Sequence, residues 1–358
     1  MKDQRTDMAS KRTLDVVLLT ALTGLGLSLV GKRRQPAANH PDTTVPDSPT
    51  GADADNPLEI PRRAWLQIGK RVMNQVVEDR VLAEAAAVTF YTLLALFPAI
   101  AALISLYGLV ADPAAIESHL SLIGGLVPGG GMDIITAQVH SLTSAGHKAL
   151  GLGAFAGILI SLWSASAGIR AIFDALNAVY EEKESRGFFR RVLLSLGFTV
   201  GGIVFVALVI TAVVAVPVIL DYAGLKSSTD VLLRLARWPV LLAAVTFMLA
   251  MIYRFGPSRA RAKWRWVSWG SGFAAVAWVL ASAAFSYYAA NFGSYNRTYG
   301  SLGAAVGFMT WIWISTIIML VGAELNAEME HQTARDTTAG APQPRGMRGA
   351  TKADEVAA

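Results

Sequence analysis

The sequence predicts an all-α fold, a polytopic bundle of about six transmembrane helices with an interfacial helix ahead of them. Three observations carry that reading. The composition is 53% hydrophobic and only 16% charged, well away from the balance of a soluble chain. The apolar residues gather into uncharged runs, most of them longer than the roughly 20 residues a helix needs to cross about 30 Å of hydrocarbon. The basic residues stand between those runs, concentrated in alternate connections.

In chain order, residues 1–34 form a short apolar N-terminal segment with basic flanks. Its core, residues 16–31, lies between Arg5, Lys11 and Arg12 on one side and Lys32, Arg33 and Arg34 on the other. It reads as an additional span, a peripheral helix or a signal segment; the basic flank behind it opposes translocation of the residues after it. Residues 35–60, dense in Pro, Asp, Thr and Ala, are expected to be a disordered linker. A helix is expected from Pro61, with Trp65, Ile68, Val72 and Val76 at helical spacing. Such a helix either lies along the headgroups or packs on the end of the bundle.

The transmembrane domain is expected over residues 61–330, with spans at about 85–111, 149–170, 192–220, 232–253, 266–291 and 299–324. The fourth is long enough only if Arg234 and Arg237 snorkel to the interface. No run alternates polar and apolar residues over about ten positions, which argues against a membrane β-barrel. The stretch 112–148 is the longest inter-span loop, and short helices are expected in it. Residues 331–358 read as a disordered tail.

Charge placement sets the expected orientation. Lys183, Arg186, Arg190 and Arg191 follow the second span, and Arg254, Arg259, Arg261, Lys263 and Arg265 follow the fourth. The opposite connections offer only Lys148, Lys226 and Arg297. Connections rich in Lys and Arg stay cytoplasmic, so both ends of the core are expected inside. The formal charge of +5 is therefore a topological signal, and no nucleic-acid partner is expected.

Ionisable groups inside apolar runs are costly and draw attention as candidate site residues. Glu84 opens the first span. Arg170, Asp174 and Asn177 share one face of the second, where Arg170 and Asp174 are spaced to pair. Arg254 closes the fourth. Glu324 and Asn326 close the sixth, with Glu328 beyond them, and Arg170 or Arg254 are the expected partners of Glu324. These residues either line a polar path or staple helices together. Gly153 with Gly157, Gly197 with Gly201 and Gly303 with Gly307 are spaced for close helix contact.

An enzyme is not expected. Cysteine is absent, which removes thiolate chemistry. His40, His119, His140, His147 and His331 are scattered, and there is no HExxH, GxSxG or Walker A signature. No metal or cofactor is expected.

The segment DRVLAEAAAVTFYTLLALFP, with Phe90, Tyr91, Phe97 and Pro98, resembles the opening of the YihY/BrkB family of bacterial inner-membrane proteins. The likeness continues through Trp163, Asn177, Tyr180, Tyr253, Arg254 and Pro257. It is strongest around Tyr295, Tyr299, Gly300, Gly303, Trp311, Gly322, Glu324 and Asn326, and it covers roughly residues 65–330. Ala95 stands where members often have Ser. The resemblance implies a six-helix inner-membrane protein. It implies little about chemistry, and the ribonuclease label attached to some members finds no support in these residues. The expected function is transport or export of an unknown substrate, with membrane lipids as partners and self-association left open. The competing expectation is a non-transporting scaffold or envelope-integrity protein, possibly lipid-related.

Overall fold

The computed structural model describes residues 51–107, 136, 140, 152–222, 229–291 and 301–357. The expectations for residues 16–31, for most of the loop 112–148, and for Tyr295, Tyr299 and Gly300 lie outside the described residues. The regular structure described is helical, apart from an isolated antiparallel bridge between Ala262 and Thr338.

A 3-10 turn at Pro57–Glu59, capped by the Asn56 side chain, leads to α1, Arg62–Glu78. The rest of the bundle is α2 (Val81–Tyr107), α3 (Leu152–Val179), α4 (Phe188–Tyr222), α5 (Thr229–Phe255), α6 (Trp264–Asn291) and α7 (Ser301–Gln332), with a short closing turn, α8, at Thr351–Asp354. Among the described residues, four stretches are long and apolar enough to cross a membrane: Leu159–Val179 of α3, Phe188–Val209 of α4, Trp264–Ala289 of α6 and Ala305–Gln332 of α7. Shorter apolar stretches occupy Val81–Leu96 of α2 and Pro239–Phe255 of α5. Pro98 and Pro239 lie inside α2 and α5, where each removes one backbone hydrogen bond.

α2 packs along α3, and α7 lies between α6 and α2; α5 leans on α6. Small side chains make this close approach possible, with Ala85, Ala171, Ala175, Ala323 and Ala327 all buried in the shared core. α4 packs on α3 and touches α5 only lightly. α7 has 32 residues, about 48 Å at 1.5 Å per residue, so it outruns a hydrocarbon core of about 30 Å. It continues about two turns past residue 324, where the apolar run ends in the sequence.

α1 has two apolar stripes. Ala64, Ile68 and Val72 are buried against Trp266 and Met329. Leu66, Met73 and Val77, on the opposite side, are exposed at 73%, 68% and 75%. The helix therefore docks on the bundle, one of its two expected roles.

The segment beyond Gln332, expected to be disordered, is packed. The Thr333 hydroxyl donates to the carbonyls of Ala52 (3.1 Å) and Ala54 (2.7 Å), and the Ala334 N–H donates to Ala52 O at 2.7 Å. The same contacts order residues 51–60, the end of the expected linker. Further on, Ala339 N–H donates to Arg261 O at 2.7 Å and Ala260 N–H to Gly349 O at 2.8 Å. The Arg348 guanidinium gathers the carbonyls of Ala353, Ala334 and Gln343 at 2.6, 2.9 and 3.1 Å. A composition poor in large apolar groups hides this kind of order, because the ordering force is backbone hydrogen bonding around one buried Arg.

Candidate functional site

The ends of α1, α3, α5 and α7 and the segment after α7 meet where the basic residues are concentrated. Here α3 closes in a Schellman turn: Glu182 N–H donates to Asn177 O at 2.8 Å and Glu181 N–H to Ala178 O at 2.9 Å, with Glu181 at φ 53°. That left-handed position usually suits glycine. At the α1–α2 junction Arg80 is likewise left-handed, at φ 54°, and Asp79 stands beside it.

Most of the candidate residues have structural partners. Asp174 does not staple to Arg170; both its oxygens accept from Arg191 Nη2 of α4, at 2.5 and 2.6 Å. Arg170 donates to Ser166 and lies 5.7 Å over the Trp163 ring. Asn177 accepts the Ser258 N–H at 2.7 Å and donates to Glu184 at 3.3 Å, tying α3 to the α5–α6 connection. Arg254 donates to Ala262 O and stacks 4.5 Å over Trp264. Asn326 accepts the Gly270 N–H at 2.8 Å and donates to Val267 O at 3.3 Å, tying α7 to α6. Glu84 is half-buried in the first turn of α2, where a carboxylate complements the helix dipole.

Around these lies a buried ionic layer that spacing alone does not reveal. Glu328 accepts from Arg71 Nε at 2.6 Å and from Lys352 Nζ at 3.1 Å, while Lys352 also reaches Glu181 at 2.9 Å. Glu330 accepts from Arg259 at 2.6 Å and from the Thr337 hydroxyl at 2.7 Å. Arg259 lies 4.7 Å over the Tyr180 ring. Burial works against the Arg259 cation, but Glu330 and its other neighbours hold its pKa above the ordinary value. Burial likewise opposes the Lys352 ammonium, and Glu181 and Glu328 raise it above the usual lysine value. Burial would raise the Glu184 carboxyl; the side chain and N–H of Arg186 outweigh that and bring it down to about 2.

Glu324 is the exception. It is 0% exposed, and neither carboxyl oxygen meets a donor among the described residues. Arg170 and Arg254, its expected partners, are engaged elsewhere. What faces it is a second acid, Asp79, whose Oδ2 is also without a donor. Two ionised carboxylates have no donor to share, so their contact becomes a hydrogen bond only when one carries a proton. Burial pushes the Asp79 carboxyl above its ordinary value, with the hydrogen bond to Glu324 acting the other way. Asp79 escapes a search for charges within spans because it precedes the apolar run.

The helix crossing behind Glu324 is built on glycine. A Cβ on Gly322 would stand 2.7 Å from the Tyr253 hydroxyl and from Ala274 Cβ, and 2.8 Å from Gly270 O. The Tyr253 hydroxyl donates to Met319 O at 2.6 Å. By contrast, Gly197 and Gly201, spaced for helix packing, face open space; they line an apolar groove of about 500 Å³ between α4 and α5. Of the other motif residues, Trp311 donates to Ser282 at 3.2 Å, Pro257 is buried, Pro98 and Gly303 are half-buried and Tyr91 is exposed.

Residues 72–346 match the family model described as "Virulence factor BrkB". A ribonuclease-like protein, YfkH of Bacillus subtilis, is 30% identical over 254 residues, covering 68% of this chain and 88% of that protein. A UPF0761 membrane protein of Ralstonia nicotianae is 31% identical over 278 residues, covering 75% of this chain and 60% of its own length. Another, from Pseudoalteromonas translucida, is 28% identical over 285 residues, with 76% and 88% covered. No solved structure matches.

Proposed function

We propose, from the premise that this chain belongs to the BrkB virulence-factor family of membrane proteins, that it is a carrier moving a solute or lipid across the bacterial inner membrane. Its six helices α2–α7 span the bilayer, the basic end faces the cytoplasm, and α1 lies in the headgroup layer with Leu66, Met73 and Val77 toward lipid. The path passes Glu324.

One observation carries this reading: Glu324 is a fully buried acid that meets no donor among the described residues, beside a layer in which Glu328, Glu330, Arg259 and Lys352 are paired. A buried carboxyl of this kind costs stability, and groups that lower stability are concentrated where function requires them. Of the remaining candidates, Asp174, Asn177, Arg254 and Asn326 tie neighbouring elements together around it, while Arg170 contacts Ser166 and Trp163 of its own helix.

The paired charges favour a second reading, a non-transporting scaffold in which the same ionic layer fixes the bundle. The two separate in an unbiased comparison of lipids and metabolites across the membrane of proteoliposomes holding wild type or Glu324→Gln. A carrier moves some species, and the variant does not. A folded wild type that moves nothing favours the scaffold.

A further inference from the structure

The α1–α2 junction and α7 bring two acids together under conditions that fix what they can bind. Glu324 is fully enclosed and its oxygens have no donor; Asp79, its neighbour, is only partly covered. Adjacent carboxylates in a low-dielectric site do not both stay ionised, and one proton between them removes the repulsion and supplies the missing hydrogen bond. We propose that Asp79 and Glu324 form a proton-binding site, which takes its proton from the aqueous phase at the basic end through Asp79 and holds it between the two carboxyls at neutral pH. Binding takes the pair from two negative charges to one, with no other co-reactant.

The charges that face the pair come from each element packed around it. Glu78 precedes it on α1, Glu181 follows α3, and Glu328 is one turn along α7; Lys352, from α8, is the facing cation. Lys352 is already shared by Glu181 and Glu328, at 2.9 and 3.1 Å, so it supplies little free positive charge. The phenol of Tyr180 also faces Glu324. On α5, the Tyr253 hydroxyl is committed to Met319 O. Arg71, from α1, is likewise committed to Glu328, at 2.6 Å, so Lys352 and Arg71 are both shared with other carboxylates, which favours retention of the proton by the pair.

The inference deepens the carrier reading, for which the pair would be the point of proton coupling, but it is tested without any substrate. Infrared difference spectroscopy of the purified full chain in phospholipid vesicles separates the C=O stretch of a protonated carboxylic acid from carboxylate bands. A deuterium-sensitive acid band is expected at neutral pH in wild type, disappearing as pH is raised, lost in Glu324→Gln, and shifted in frequency and titration in Asp79→Asn, where Glu324 stays buried without its acidic neighbour. Absence of the band from folded wild type, or its persistence unchanged in both variants, would overturn the proposal. Should either variant not fold, the wild-type titration still decides: a folded protein with no acid band at neutral pH has no such site. A wild type that shows the band but moves no solute leaves the proton site standing and removes the carrier.

Discussion

Arg259 and Glu330 meet at 2.6 Å, with their side chains 3% and 0% exposed, and this pair joins the α5–α6 connection to the last turn of α7. Deleting one member leaves the other buried and uncompensated, which typically costs about 3–5 kcal/mol, whereas replacing both by apolar groups can be neutral. Glu330→Gln and Arg259→Met should each lower the thermal midpoint of the purified protein sharply. The double variant Arg259→Met, Glu330→Leu should recover most of the loss, as read by a melt in detergent.

The segment after Gln332 is a strap across the same end. Lys352 joins α7 to the turn after α3 through Glu328 and Glu181, and Thr351 N–H donates to Glu182 at 2.7 Å. Truncation after Gln332 should lower the midpoint and increase proteolysis at residues 51–60, which the strap holds through Thr333. A truncated chain with the wild-type melt and cleavage pattern would contradict this placement.

The glycines divide into two groups with opposite expectations. Gly322→Ala should reduce the folded amount, because the new methyl meets the Tyr253 hydroxyl, Ala274 and Gly270 O, all within 2.8 Å; overpacking of this kind costs about 1–3 kcal/mol. Gly201→Ala should be neutral or slightly stabilising, since nothing lies near the added methyl and alanine is the better helix former. Folded yield by size-exclusion chromatography distinguishes them.

Acid stability should depend on Glu184, whose carboxyl is held down at about 2. A group depressed in the folded state contributes its stabilisation above its unfolded value of about 4.3, and that contribution disappears as pH falls toward the folded value. Asp79, raised by burial, has the opposite sign: its contribution is present at low pH and is lost as pH rises through the folded value. Between about pH 4.5 and 2, wild type should lose thermal stability progressively. Glu184→Gln should show a flatter profile over that window and a lower midpoint above it.

Much of the bundle is legible in the sequence because the bilayer imposes it: uncharged runs locate α3, α4, α6 and α7. What escapes is where charge is buried by pairing. The apolar run of α7 ends at Glu324, yet the helix continues because Glu328 and Glu330 find Arg71, Lys352 and Arg259 from distant parts of the chain. Asp174 has Arg170 at favourable helical spacing but pairs with Arg191 across the α3–α4 turn, since local spacing carries no information about a neighbouring helix. The open glycines of α4 and the crowded Gly270 and Gly322 look alike in sequence; only the helix crossing separates them. Glu324 is visible as a charge at the end of an apolar run, whereas Asp79 is not, because it lies just ahead of one.

The most direct test of Glu324 as a functional rather than a stapling group is the thermal midpoint of Glu324→Gln in phospholipid nanodiscs, measured beside wild type. Gln keeps a donor for Asp79 and removes the buried charge, so the expected midpoint is equal to or above that of wild type. A marked fall in the midpoint would contradict this and place Glu324 among the residues that hold the bundle together.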